Sequence, residues 1–138
     1  MNNTNTSPRN RRATPVSQVI KRRNQMVRKG LSRLIGKEIP CPCLGGVLVR
    51  VERKSVNETA NKAANSILSM EAARHLEHYL KTAKFYRMTL PKENRSQKKD
   101  FGLIFMYELH AQSKGGVVKL MVGVRERDGF VHYSITVQ

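Results

Sequence analysis

The sequence predicts an α+β domain, with helices packed on one face of an antiparallel sheet that ends in a three-stranded meander and a basic helical extension at the N-terminus. Three observations carry this. The last third of the chain alternates apolar and polar residues over three runs, the period of half-buried strands. Residues 55–83 repeat apolar side chains at helical spacing and so supply a cover for the sheet. Residues 1–37 hold ten Lys and Arg and no Asp or Glu, which marks them as a basic extension.

At 138 residues the chain predicts one domain with extensions. Residues 1–13 are Asn, Thr, Ser, Pro and Arg, with little to bury, and predict a disordered basic arm whose cations are Arg9, Arg11 and Arg12. Residues 14–36 predict a basic amphipathic helix. Thr14 offers a capping hydroxyl and Pro15 suits the first helical position. Val16, Ile20, Val27, Leu31 and Leu34 form its apolar stripe, Lys21, Arg22, Arg23, Arg28, Lys29 and Arg33 fill the rest, and Gly36 suits the C-terminal cap.

Residues 37–138 then make the α+β domain. Pro40 and Pro42 keep residues 37–43 extended and off a central strand. Gly45-Gly46 turns the chain into a strand with Val47, Val49 and Val51 inward. Ser55 followed by Glu58 matches a capping box, and the helix behind it buries Val56, Ala60, Ala63 or Ala64, and Ile67. Ser69 restarts a helix with Met70, Ala73, Leu76, Leu80 and Ala83 inward and His75 and His78 at the border. Residues 84–90 predict a strand. The loop from Pro91 to Asp100 follows, and residues 81–99 hold seven basic residues against one acid.

The meander reads as residues 101–112, 117–126 and 130–137, joined by Ser113-Lys-Gly-Gly and by Asp128-Gly129, a strong hairpin signal. Leu103, Phe105, Tyr107 and Leu109 predict the inner side of the first strand, Val118, Leu120, Val122 and Val124 that of the second, and Val131, Tyr133, Ile135 and Val137 that of the third. The outer side then gathers Glu108, His110, Lys119, Arg125, His132, Ser134 and Thr136. Ordinary solvent exposure is one reading of such a face; a binding or catalytic surface is the other.

The net charge is +16 and the isoelectric point near 10.6, which points to polyanions, nucleic acid first among them. The predicted nucleic-acid contacts are the arm and helix cations, with Lys84, Arg87, Lys92, Arg95, Lys98 and Lys99 of the second basic stretch. No run of 18 apolar residues crosses a membrane, and residues 1–30 lack the apolar region of a signal peptide. The expected setting is cytoplasmic, with non-classical secretion as the other route. Cys41-Pro42-Cys43 lacks a second Cys pair to complete a metal site, so two reduced thiols are expected, with no metal and no cofactor. Acidic residues are too few for a two-metal nuclease cluster. Metal-free RNA cleavage needs a base for the 2′-hydroxyl, an acid for the leaving oxygen and cations for the developing charge. His132 with Ser134 and Thr136, beside Lys119 and Arg125, predicts that machinery, with His110 and Glu108 as counterparts.

Three stretches carry a family resemblance: Leu80-Lys-Thr-Ala-Lys, Tyr107-Glu-Leu-His-Ala-Gln-Ser-Lys-Gly-Gly-Val-Val-Lys-Leu-Met-Val-Gly-Val-Arg-Glu, and Gly129-Phe-Val-His-Tyr-Ser-Ile. Through them residues 37–137 resemble a small domain of phage and mobile-element polyvalent proteins, the large polyvalent protein-associated class. That class is placed in the barnase–EndoU–colicin–RelE fold group. The resemblance implies a ribonuclease-like fold and the activity of a metal-independent ribonuclease or toxin. The class pattern often has a His where this chain has Tyr107, and residues 1–36 lie outside the resemblance. Two functions are therefore expected: an RNA-preferring, metal-independent endoribonuclease or toxin of a mobile element, or a non-catalytic nucleic-acid-binding accessory protein. A protein partner such as an antitoxin, or a purely protein-binding adaptor role, is a further expectation.

Overall fold

The computed structural model describes residues 15–92, 95–127 and 129–138. The elements are α1 (Pro15–Leu31), β1 (Glu38–Cys41), β2 (Val47–Arg50), α2 (Arg53–Ala63), α3 (Ile67–Arg74), α4 (Leu76–Thr82), β3 (Lys84–Thr89), β4 (Phe105–Ser113), β5 (Gly116–Arg125) and β6 (Gly129–Val137). Short 3-10 turns follow α1 and β1, and residues 95–100 form one turn of π-helix. The fold is α+β. Its sheet is six-stranded in the order β1-β2-β6-β5-β4-β3.

Most of that sheet is antiparallel, including the meander β4–β5–β6. The expectation of a wholly antiparallel sheet is corrected at one joint. β2 pairs with β6 in parallel, through Val49↔Phe130 and Arg50↔Val131 alone. Because β2 is so short, the rest of that side of β6 is covered by α2 and α3. Ser69 Oγ accepts the Val137 N–H at 2.9 Å, closing the ladder with a side chain. The turn after β1 touches β3 at the opposite edge, so the sheet is curled.

The helices form largely where the apolar spacing puts them, and their ends differ for electrostatic reasons. α2 starts three residues early. Glu52, not Ser55, is its cap, accepting from the Ser55 backbone while Ser55 Oγ accepts the Glu52 N–H. Glu52 also pairs with Arg125 and with Arg50 at 3.6 Å. A capping carboxylate that is also ion-paired outcompetes a lone serine hydroxyl. Ser66 caps α3, and the predicted helix over 70–83 breaks at His75 into α3 and α4. Ala73, Leu76, Leu80 and Ala83 are buried as the stripe predicts, whereas Ile67 is exposed.

The main core joins Val27 and Leu31 of α1 and Leu34 of the turn after it to Val56 and Ala60 of α2, Leu76 and Leu80 of α4, and Leu109, Leu120, Val122 and Ile135 of the sheet. α1 is further fastened to α2 by hydrogen bonds from Asn24 to Asn61 and from Arg28 to Asn57.

A second, smaller core lies on the opposite sheet face, which the alternation predicted to be mostly polar. Residues 101–104 do not extend the first meander strand. Phe101 and Leu103 fold back over the sheet and bury themselves against Met106, Val131 and Tyr133. Phe101 and Tyr133 meet edge to face at 4.9 Å. The Leu103 N–H donates to the Gln97 carbonyl and Lys54 Nζ to the Asp100 carbonyl, so this segment is a packed cover. It lies so close that a Cβ on Gly123 would come within 2.5 Å of the Leu103 side chain.

Two faces with two cores force a change of phase in β6. Met121 pairs with Ser134 but Val122 with His132, leaving Tyr133 as an extra residue. This β-bulge puts Val131 and Tyr133 on the small core while Ile135 stays in the main one. The predicted common side for Val131, Tyr133 and Ile135 is thus corrected.

Gly123→Ala should therefore lower stability by about 1–3 kcal/mol, as overpacking does. In a double-mutant cycle by urea unfolding, Leu103→Ala should relieve part of that loss. Strict additivity would mean that Leu103 does not rest on Gly123.

Candidate functional site

The polar face that remains is built from two rows crossing four strands. Register places Lys84 of β3, His110 of β4, Lys119 of β5 and Thr136 of β6 side by side. The next row is Arg87, Glu108, Met121 and Ser134. Strand alternation points both rows to the same side. Glu108, His110, Lys119, Ser134 and Thr136 are thus brought together.

Glu108 is the hub. Its carboxylate is buried; one oxygen accepts from Arg87 Nε at 3.0 Å and the other lies 2.5 Å from His110 Nε2. Burial alone would push its carboxyl up. The hydrogen bonds from His110 and Arg87, with the charges of Lys119 and Arg87, outweigh burial and hold it below the usual carboxylate range. The carboxylate fixes the imidazole: with Nε2–H donated to Glu108, Nδ1 is left as the acceptor.

β3 adds an aromatic lid to this pair. Its register against β4 slips between Phe85 and Arg87, so Tyr86 is an extra residue. The Tyr86 ring stacks on His110, with centroids 4.0 Å apart and planes 17° apart. The Arg87 guanidinium lies 5.6 Å from the centre of the same ring.

Beside His110 opens a cavity of about 490 Å³ whose walls include His78 and Thr82 of α4, Lys84 and Tyr86 of β3, and His110 and Gln112 of β4. α4 runs into β3 with only Ala83 between them, so the last turn of the helix must stand next to the first residues of the strand. Of these, His78, Thr82, Tyr86 and Gln112 were not singled out as site residues from the sequence. The direct helix-to-strand junction was the signal for His78 and Thr82; nothing local marks Tyr86, whose place depends on a bulge.

Two predicted catalytic residues lie elsewhere. His132 is carried by the β6 bulge onto the side of Val122 and is fully buried. Neither ring nitrogen has a hydrogen-bond partner among the described residues. Burial pushes its pKa down to about 4, against a small upward pull from the Ser134 backbone, so it is neutral and inaccessible. Arg125 is six residues beyond Lys119 along β5, about 20 Å away at strand rise, and holds Glu52 at the start of α2. Its position is structural.

Among the predicted nucleic-acid contacts, Lys21, Arg22, Lys29, Arg33, Lys84, Arg87, Lys92, Lys98 and Lys99 are exposed, and Arg23 and Arg28 half-buried. Arg9, Arg11 and Arg12 lie outside the described residues, as does the side chain of Arg95. Cys41 and Cys43 are free, with sulfurs 3.8 Å apart. Burial, then the neighbouring Cys43, pushes the Cys41 thiol up to about 12, which leaves it inert. Among the described residues no three His, Cys, Asp or Glu are placed to hold a metal ion, and no helix is long and apolar enough to cross a membrane.

The buried His132 makes stability depend on pH. The unfolded chain protonates this imidazole near its ordinary 6.5, the folded chain only near 4. Between these values the unfolded state binds more protons, so stability falls as pH falls. The gap corresponds to about 3 kcal/mol. Urea unfolding at pH 7 and pH 4 should show His132→Leu losing less stability than wild type by that order; parallel losses would contradict the assignment. No family model, no curated protein and no solved structure matches this chain.

Proposed function

We propose that this protein binds RNA on the two-row sheet face and cleaves it without a metal, with His110 as general base. The observation that carries this is the Glu108–His110 pair flanked by Lys84 and Lys119 on the neighbouring strands. A half-exposed imidazole oriented by a buried carboxylate, with a cation on either side, has the parts that transesterification of RNA requires.

In this reading a phosphodiester lies over the first row. His110 Nδ1 takes the proton of the 2′-hydroxyl, whose oxygen attacks the phosphorus. Lys84 and Lys119 hold the non-bridging oxygens as their charge grows. His78, on the helix side of the same cavity, in its imidazolium form gives its proton to the departing 5′-oxygen. The products are a 2′,3′-cyclic phosphate and a 5′-hydroxyl, so atoms and charge balance without a redox step or an added metal. Arg87 keeps Glu108 ionised, and Glu108 acts through His110 as a positioning residue.

The basic stretch on α1, together with the arm before it, supports RNA as the partner, because sequence-independent affinity comes from cations on phosphates. The likeness of residues 37–137 to the large polyvalent protein-associated class belongs to the same proposal. It rests on the sequence stretches quoted above and implies a cytoplasmic mobile-element effector or toxin.

Incubation of the protein with total RNA in EDTA should yield fragments ending in 2′,3′-cyclic phosphate. His110→Ala should slow their formation by about 10²–10⁴-fold, the usual worth of a positioned acid–base group, and leave RNA affinity nearly unchanged. Intact RNA at micromolar protein removes the catalytic claim; retained binding then leaves a non-catalytic RNA-binding protein.

Binding itself should weaken with salt. A log–log slope of about −0.7 per neutralised phosphate is expected on single strands. Removing residues 1–13 and changing the exposed Lys21, Arg22, Lys29 and Arg33 to Gln should flatten it, and an unchanged slope would put the phosphate contacts on the rest of the domain.

A further inference from the structure

We infer that the cavity beside His110 is a nucleobase pocket, so that the strand bound here is single and one of its bases is turned out of the stack. The inference rests on the RNA-binding reading above and goes beyond it: it concerns which form of nucleic acid enters, not whether cleavage follows.

The first ground is the placing of aromatic side chains. The chain has four Tyr and four Phe, and Tyr79, Phe85 and Tyr86 all border this cavity. Phe85 and Tyr86 are 49% and 55% exposed. On this edge strand Tyr86 is covered by His110 and Phe85 by Tyr107 on part of their surface only, and the half left in water is surface that the π-face of a nucleobase can cover.

The second ground is the polar complement. Register between β3 and β4 begins at Lys84↔His110, so residues 111–113 of β4 run past the start of β3 with β5 on one side only. Ala111 and Gln112 line the cavity at this open edge. Backbone donors and acceptors there, with the exposed Gln112 amide, suit the hydrogen-bonding edge of a base. No hydrogen bond within the described residues engages the Gln112 side chain, leaving it available.

The third ground is charge and size. Lys84 lines the cavity and also stands in the first row beside His110. A nucleotide whose base enters the cavity therefore leaves its phosphate at the cations of the sheet face. About 490 Å³ has room for a nucleobase and its sugar. In a duplex the base edges are engaged and the faces stacked, so this geometry selects unpaired RNA.

The test is a set of anisotropy titrations at one salt concentration, in EDTA and with 2′-O-methyl ribose at each position of the RNA to block cleavage. The ligands are a short single-stranded oligonucleotide, the same backbone with abasic positions, the matching duplex, and nucleoside monophosphates as competitors. Wild type should prefer the base-bearing strand over the abasic one by about 5- to 150-fold, the range that base–aromatic stacking commands. Tyr86→Ala should remove that preference, and Gln112→Ala, at an exposed position, should reduce it while leaving abasic-strand affinity unchanged. Equal binding of base-bearing and abasic strands overturns the pocket and leaves RNA binding standing. Equal binding of duplex, or a preference untouched by Tyr86→Ala, overturns it as well. Monophosphates that compete as well as the strand overturn the strand as its occupant. Failure to bind any of the nucleic acids overturns the proposed function itself.

Discussion

The bulge at Tyr133 is the constraint on which the arrangement of this domain depends. β6 lies inside the sheet, between β2 and β5, so its phase decides what each face receives. An unbroken strand would put Val131, Tyr133 and Ile135 together. The chain needs Ile135 against the helices and the other two against Phe101 and Leu103. Two large side chains on the wrong face would forfeit about 1.5–3 kcal/mol each. Against that stand one weakened ladder hydrogen bond, about 0.5–1.5 kcal/mol, and an unpartnered His132 ring, about 1–3 kcal/mol. The apolar term is at least comparable and the extra residue is kept.

This explains which parts of the molecule are legible from sequence. The apolar stripe Ala73, Leu76, Leu80 and Ala83, the meander order and the Gly115-Gly116 turn depend on local periodicity and on glycine and are placed to within a few residues, whereas Val16 and Ile67, put in helix stripes by spacing alone, are exposed. Register between distant segments is another matter. Nothing in Val47–Arg50 says that it will run parallel to β6, because that choice is made by where α2 must lie afterwards. Ser55-Val-Asn-Glu58 matches a capping box as a string, yet Glu52 takes the cap, because Arg125 and Arg50 come to it from distant strands. Phe101 and Leu103 alternate like strand residues and instead turn back, drawn by an apolar patch with Gly123 at its floor.

The candidate site is divided in the same way. Glu108, His110 and Lys119 lie in strands without a slip between them, and simple alternation places them correctly. His132 is lost to the face because it adjoins the slip. Arg125 is lost because a strand face is long: sharing a side says nothing about sharing a row. Among the described residues a single carboxylate, Glu108, stands in these rows with Lys84, Arg87 and Lys119 and answers only part of their charge. The surplus is positive, and it lies where a half-exposed imidazole is already held in one orientation.

Both departures from alternation act on this one surface. The slip in β6 removes an imidazole from it; the slip in β3 adds a phenol ring to it, laid over His110. A regular β3 would have sent Lys84 and Tyr86 to one side and Arg87 to the other. The extra residue lets Lys84, Tyr86 and Arg87 all reach the polar face, two cations and a ring around one histidine. Bulges recur beside functional sites because one added residue re-aims a side chain without unmaking the sheet. Here the sheet supplies the fixed rows of the site, and the bulge in its edge strand supplies the ring.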